Sequence, residues 1–387
     1  MSLDNFQIIT KLGEGAYSTV FKVQRHSDLK IYALKKVKIE KLTEKEKKNA
    51  LNEIRILASI KHPNIISYKE AFFDENDKSL CLIMEFADSG DLWQKIQRCI
   101  KNSIKLRESY IWSIFTQVTK GLKTLHDLGV LHRDLKSANV FLNRDGTIKL
   151  GDMNVSKVAK DGFLKTQTGT PYYASPEVWK DQKYNNKSDI WSLGCVLYEA
   201  ITLNPPFTAN DMEGLFDRVT KGQYKPIPSE YSNDLVFLLS KMLDSNADNR
   251  PSCDEILSFE FVRKHCKDKS MNNSISMLIQ PIKIPGEINL LSNSLPRADY
   301  GGFEEQDGKF TQSYSKKSLQ EPYSRLPAIK INNKAQRKHI DFHMIIENST
   351  DRLKRIREIY LSPLNVYMTP GIKKSNKYIG YKKKIFG

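Results

Sequence analysis

The chain has 387 residues, 40% of them hydrophobic, and a formal net charge of +16, which suits one large two-lobed domain or two ordinary ones plus an appendage. No run approaches the roughly 18 consecutive apolar residues of a membrane-spanning helix, and the opening MSLDNFQ lacks the charged and apolar regions of a signal peptide, so an intracellular, soluble protein is expected. The charge is uneven: from Lys267 onward 22 Lys and Arg stand against 11 Asp and Glu, +11 of the total, an excess that implies acidic partners such as phospholipid headgroups, nucleic acid or acidic protein surfaces without choosing among them.

Residues 6 to 37 alternate apolar and polar with period two in FQIITKL, YSTVFKV and IYALKKV, which predicts a strand meander. In the segment TEKEKKNALNEIRILASI that follows, Thr43 and Glu46 form a capping-box pattern ahead of helical spacing at Ala50, Ile54, Leu57 and Ala58, and His62 and Pro63 end the helix. Strands fit ISYKEAFF and SLCLIMEF, separated by the polar turn DENDK. From Asp91 the period becomes helical. Helices are predicted over 91–100 and 107–128, then a small hairpin of Val140 to Asn143 with Ile148 to Asp152 around Arg144-Asp145-Gly146, a buried helix over 186–202, and helices over 211–221, 231–243 and 253–265. The expected fold class is α+β, a small β lobe with one helix followed by a larger helical lobe. After about residue 268 Ser, Asn, Lys, Gly and Pro rise and periodicity is lost, so most of 268–387 is expected to be disordered or to fold only on a partner. The five cysteines, at 81, 99, 195, 253 and 266, form no Cys-x-x-Cys pair and read as reduced core or surface thiols.

The octet HRDLKSAN, residues 132–139, carries the chemistry. It places Asp134, Lys136 and Asn139 at spacings two and five, and Asp152 follows in LGDMN. Asp134 is the candidate base for an attacking hydroxyl, and Lys136 can stabilise charge on a transferring phosphoryl group. Asn139 and Asp152 offer the hard oxygens that Mg²⁺ prefers. Upstream, Gly13-Glu14-Gly15 with Ser18 and Val20 forms a glycine-rich turn between two predicted strands, where backbone amides can approach phosphate oxygens. A plain glycine-rich hairpin would match that turn equally well. The next strand adds weight, because Ala33 and Lys35 are two apart and share a face. Glu53 lies four residues before Leu57 on the apolar side of its helix, where an unpaired carboxylate is costly. An ion pair between Lys35 and Glu53 resolves that cost and aims Lys35 at phosphates.

Together these motifs resemble the eukaryotic protein kinases over residues 6–265. The resemblance implies the bilobal protein-kinase fold, with a small lobe over 6–86 and a large lobe over 91–265, and leaves 266–387 as a basic, low-order regulatory or targeting tail. It implies ATP and Mg²⁺ as cofactors. Leu12, Gly13, Gly15, Val20, Ala33, Lys35, Glu53 and Phe141 would surround the nucleotide, with Met84 as gatekeeper, Glu85, Phe86 and Ala87 as the hinge that hydrogen-bonds adenine, and Asp91 where ribose is contacted. Ser175-Pro176-Glu177 stands for the family's Ala-Pro-Glu, with Arg250 as partner of Glu177, and Asp189 would brace the catalytic loop. Lys136 with Gly169-Thr170 resembles serine/threonine kinases, so the expected partners are protein substrates offering Ser or Thr.

KHPNIISY, MEFADSGDLWQKI, HRDLKSANVFL, LGDMNVSKV and TGTPYYASPE are similar to the NIMA-related kinases, and GDMNVSKVAK to a branch found in ciliated protists and algae. Roles in microtubule organisation, basal bodies, cilia or the cell cycle follow as expectations, as do a cytoplasmic or cytoskeletal location with a nuclear one as the alternative, and Thr166 as activating phosphosite with Arg133 and Lys157 receiving the phosphate. The family's Asp-Phe-Gly reads Asp152-Met153-Asn154 here, which keeps the metal ligand and alters the switch residues; a nucleotide-binding pseudokinase scaffold is therefore the rival reading. A small-molecule kinase on the same fold is disfavoured by Thr170-Pro171-Tyr172-Tyr173. In the tail, DRLKRIREIY has the spacing of a short basic amphipathic helix suited to the kinase lobe, an acidic cytoskeletal surface or a membrane, and reads equally as a partly helical stretch of disorder. The resemblance turns the partner expectation away from nucleic acid, and no long heptad supports tail-driven dimerisation.

Overall fold

The computed structural model describes residues 2–15, 18–152 and 171–266, and beyond them 279, 282, 291–292 and 294–300. The expectations placed on Met153, Asn154, Lys157, Thr166, Gly169, Thr170 and the DRLKRIREIY segment lie outside these residues.

Five antiparallel strands form the small lobe: β1 (Phe6–Glu14), β2 (Ser18–Arg25), β3 (Ile31–Lys38), β4 (Tyr68–Asp74) and β5 (Ser79–Glu85), in the spatial order β1-β2-β3-β5-β4. Alternation along β3 sends Tyr32 and Leu34 into a core with Phe6, Val23, Phe72, Cys81 and Ile83 on one face of the sheet. Leu80 and Leu82 of β5 face the other way and join Leu51, Ile54 and Leu57 of helix α1 (Glu44–Ser59) in the main core. Burial on both faces explains why β5 reads as a continuous apolar run, whereas edge strand β1 leaves Ile8, Ile9 and Leu12 exposed. Thr43 and Glu46 cap α1 reciprocally, as their spacing predicts.

The large lobe is built on α2 (Leu92–Lys101), α3 (Glu108–Asp127) and α5 (Asn186–Thr202), with the hairpin β6 (Val140–Leu142) and β7 (Ile148–Leu150) at the boundary between lobes. Gly146 takes φ 85° at the hairpin's tip, a conformation that suits glycine. Helix α5 is apolar almost all round and runs through the centre, buried from Ser188 to Ile201. Gly194 lets it approach its neighbour closely, since a Cβ there would lie 2.9 Å from Leu243 Cδ2. The short α4 (Pro176–Trp179) precedes α5, and α6 (Met212–Lys221), α7 (Asn233–Met242), α8 (Cys253–Ser258) and α9 (Glu260–Arg263) complete the lobe.

One expectation needs correction. The single helix predicted over 253–265 is two, because Phe259 takes ψ 130° between them, and its ring stacks on Phe261 at 5.3 Å while meeting Phe237 edge-on. Described residues beyond 265 also pack against the body. Leu291 is buried in the main core, Leu295 and Ile282 pack against that core, and Tyr300 packs on the outer face of the sheet. Among the described residues no helix is long and apolar enough to cross a membrane.

Candidate active site

Strand β3 and helix α1 carry the first half of the site. Val20 pairs with Lys35, and Ala33 with Met84, so the glycine-rich turn, the strand and the end of β5 share one face. Lys35 Nζ lies 2.8 Å from Glu53 Oε1 and 3.1 Å from Asp152 Oδ1, one ammonium between two carboxylates. Burial opposes the charge on Lys35, yet the two anions outweigh it and raise its pKa. Asp152 is half exposed, and the Lys35 ammonium holds its carboxyl below the usual range. Glu53 goes the other way, raised chiefly by burial, with Lys35 offsetting part of the rise. At the turn, Gly15 N–H donates to Ser18 O at 2.7 Å, and a Cβ at Gly13 would meet nothing within 4 Å, so the space above the backbone is open.

The boundary between lobes is stitched by backbone. Ser89 N–H donates to Leu142 O, Leu142 N–H to Gly90 O, and Asp91 bridges Phe141. Glu85 N–H already donates to Ser67 O, and its carboxylate meets Lys149 Nζ at 2.9 Å, so a base stacked here would meet only its carbonyl. Phe86 receives Lys22 Nζ over its ring at 5.0 Å. Ala87 follows in the same segment. Asp91, expected at the ribose, caps α2 by accepting from Gln94 N–H at 2.8 Å, a role the sequence reading missed although Asp before an apolar periodic run is an N-cap signal. Gly151 is required just before Asp152, because a Cβ would lie 2.8 Å from both Ile66 and Phe141.

The catalytic loop forms the second half. Lys136 Nζ lies 3.0 Å from Asp134 Oδ2, and Asn139 Nδ2 donates to Asp134 O at 2.7 Å, which leaves the amide oxygen of Asn139 as its ligating atom. Behind the loop Asp189, fully buried, accepts the N–H groups of His132 and Arg133 at 3.0 Å each, meets His126 Nε2 at 2.9 Å and accepts the Tyr184 hydroxyl. Burial alone would raise its pKa, but these partners hold it below the ordinary value. The same bonds secure Arg133 at φ 66°, a conformation unusual for a side chain of its size. Ser137 Oγ, Tyr173 Oη and Glu199 form a further network, with 3.1 Å and 2.5 Å separations. Sequence reasoning missed it: Ser137 lies in the octet and Tyr173 in the Thr170 to Tyr173 string, but nothing in the sequence joins them to the distant Glu199. Glu177 receives Arg250 through both guanidinium nitrogens, at 2.8 and 2.9 Å, together with the Ser188 hydroxyl at 2.6 Å.

The structure thus gathers Lys35, Glu53 and Asp152 at one point and Asp134, Lys136 and Asn139 at another, with the glycine-rich turn above the first. The first cluster sets one ammonium between two carboxylates, so a polyanion would be accepted there only together with a cation, and the second offers a carboxylate beside an ammonium. Among the described residues no group of three or more His, Cys, Asp or Glu converges on a metal. One carboxylate and one amide oxygen suit a hard cation that takes its remaining ligands from phosphate and water.

Residues 6–262 match the family model described as "Protein kinase domain". The chain is similar to "Probable serine/threonine-protein kinase nek2" of Dictyostelium discoideum, 37% identical over 274 residues, covering 70% of this chain and 66% of the relative. It is 38% identical over 277 residues to "Serine/threonine-protein kinase Nek2" of Homo sapiens, covering 70% and 62%. With "G2-specific protein kinase nim-1" of Neurospora crassa it shares 36% over 295 residues, 69% of this chain and 34% of that one. The chain therefore spans two thirds or less of these relatives, and the family model ends at residue 262. Family model, catalytic loop and the names of these relatives agree: the chain belongs to the protein kinases, among the NIMA-related (Nek) members.

Proposed function

We propose that the protein is an ATP- and Mg²⁺-dependent protein serine/threonine kinase that transfers the γ-phosphoryl group of ATP to Ser or Thr of protein substrates. The observation that carries this reading is the catalytic loop, where Asp134 stands between Lys136 and Asn139 on a backbone held by the buried Asp189. Lys35 orients the α and β phosphates and is itself oriented by Glu53. Asn139 and Asp152 would hold Mg²⁺, which when bound neutralises charge on the phosphates. Asp134 orients the substrate hydroxyl and accepts its proton, and Lys136 balances charge on the γ-phosphoryl oxygens as the bond to the leaving oxygen breaks.

Incubation with labelled ATP and a generic protein substrate tests the reading. Asp134→Asn should lower transfer by about 10²-fold or more, within the range for loss of a general base. Equal incorporation by both proteins would leave the pseudokinase scaffold, motivated by Asp152-Met153-Asn154, as the better reading.

Regulation by phosphorylation of Thr166 belongs to the same proposal. Arg133 Nη1 is buried with no hydrogen-bond partner among the described residues, which supports a phosphate acceptor beside the catalytic loop. Mass spectrometry of the active protein should find Thr166 phosphorylated, and an unmodified Thr166 would remove this part. The Neurospora relative is a G2-specific protein kinase by name, which supports a cell-cycle role; a cytoskeletal, basal-body or ciliary location, with the basic tail on an acidic surface, is the accompanying proposal. Imaging a tagged copy with and without residues 268–387 tests that location.

A further inference from the structure

The sheet order leaves β4 at an edge, with β5 on one side only. Two of its backbone groups nevertheless have partners that come from far along the chain. Phe73 N–H donates to Ser292 Oγ at 3.1 Å, and Asp299 N–H donates to Lys69 O at 2.6 Å. The Tyr68 hydroxyl donates to Pro296 O at 2.8 Å, and Lys61 Nζ meets the Asp299 carboxylate at 2.6 Å.

The contacts do not stop at the edge. Tyr300 Oη donates to Glu70 Oε2 at 2.6 Å, its ring lies under the Arg25 guanidinium at 3.5 Å, and it meets Tyr32 edge-on at 5.4 Å. One tyrosine thereby touches β2, β3 and β4. Glu70 is a buried carboxylate whose other oxygen has no hydrogen-bond partner among the described residues, so the Tyr300 hydroxyl is an important donor to it. Leu291 is 1% exposed and belongs to the core shared by α1 and β5.

The third contact reaches α1 itself. Arg55 Nη1 donates to Ile279 O at 3.1 Å, and Ile279 N–H donates to Ser59 Oγ at 2.9 Å. These residues follow Glu53 by two and six positions on the helix that carries it. The same stretch of chain therefore holds α1, the α1 to β4 connection, the edge of β4 and the outer face of the sheet.

We infer that Ile279, Leu291, Ser292 and residues 294–300 act as an intramolecular clamp whose docking surface is the back of the small lobe, and that its docking fixes α1 so that Glu53 stays against Lys35. The chain beyond the catalytic domain thereby sets the geometry of the nucleotide site from behind. Apolar anchors at Leu291 and Tyr300 supply adhesion, and backbone bonds to an otherwise open strand edge supply register. The occupant is this chain's own segment, since the partner atoms are its atoms. The inference deepens the kinase reading where it touches the nucleotide site and is otherwise independent of it.

Hydrogen–deuterium exchange on the full-length protein tests it, alongside equilibrium binding of a non-hydrolysable ATP analogue with Mg²⁺. Tyr300→Ala combined with Leu291→Asp should undock the segment. Exchange should then rise by about tenfold in β4 and by a smaller factor in α1, with α5 unchanged as the folding control. Analogue affinity should fall about fivefold, the lower end of coupling between distant sites. Arg55→Ala, a milder change on the surface of α1, should speed exchange in α1 while leaving β4 protected. Unchanged protection of β4 in the double variant would overturn docking. Faster exchange in β4 with α1 and analogue affinity unchanged would overturn the coupling. Neither readout requires phosphoryl transfer, so a failed transfer assay would remove the kinase reading and leave the clamp standing.

Discussion

Asp189 in the large lobe is fully buried and held by two backbone amides, an imidazole and a phenol, whereas Glu53 in the small lobe keeps 17% of its side chain exposed and faces a single lysine shared with Asp152. The large lobe fixes its catalytic loop from within, through a helix surrounded by core on nearly every side. The small lobe sets its half of the site by where one helix lies against a sheet. The Asp134 loop is thus held by a buried network and Lys35 by a partly exposed ion pair, so on the proposed function damage to the first should appear as lost stability and damage to the second as lost activity.

Removing Arg250 should sharpen that contrast most. Its guanidinium is buried against Glu177 and lies 4.9 Å over the Trp191 ring, so Arg250→Ala should destabilise the protein by about 3–5 kcal/mol, as breaking a buried pair does. Chemical denaturation would read this, and a loss under 1 kcal/mol would contradict it. Lys35→Met should act in the opposite way, lowering transfer by about 10²-fold as loss of a preorganised electrostatic contact does. Its unfolding midpoint should move less than that of Arg250→Ala; a larger shift would show the small-lobe pair to be structural.

Smaller effects test local terms. Thr43→Ala removes the cap of α1, where Thr43 Oγ1 accepts from Glu46 N–H, and should lower stability by about 1 kcal/mol. An unchanged midpoint would mean the helix is held by packing alone. His62 offers a pH test. Burial, aided by Lys120 and Lys149, pushes its imidazole from 6.5 down to about 4, and its Nδ1 accepts the Asn64 N–H at 3.0 Å. The unfolded imidazole takes its proton below 6.5 and the folded one only near 4, so stability should fall as pH drops through that window. His62→Gln should flatten the curve there, and an NMR titration giving His62 an ordinary pKa would refute the assignment.

How much of this was legible depended on distance along the chain. Asp134, Lys136 and Asn139, which the structure brings together, could be singled out because they fall within six positions, and the capping box at Thr43 because its partners lie three apart. The pairing of Lys35 with Glu53 was an inference from a carboxylate on an apolar helix face, and the structure places those atoms within contact. Ser137, Tyr173 and Glu199 could not be assembled from sequence, since each looks ordinary alone. Phe259 broke a helix that its neighbours' spacing favoured, because ring stacking decided its backbone. The proposed clamp left no periodic trace, its anchors Leu291 and Tyr300 lying in a stretch where Lys283 and Arg297 are balanced by Glu287 and Asp299.

The open side of β4 has a consequence for how the chain behaves in company. A bare strand edge with free amides and carbonyls is a template for another molecule's strand. Ser292 and Asp299 occupy two of those positions, so the covered edge also guards against self-association. Light scattering on concentrated samples should show the undocked double variant forming larger species while the parent remains monodisperse, and equal scattering by both would deny the edge that guarding role.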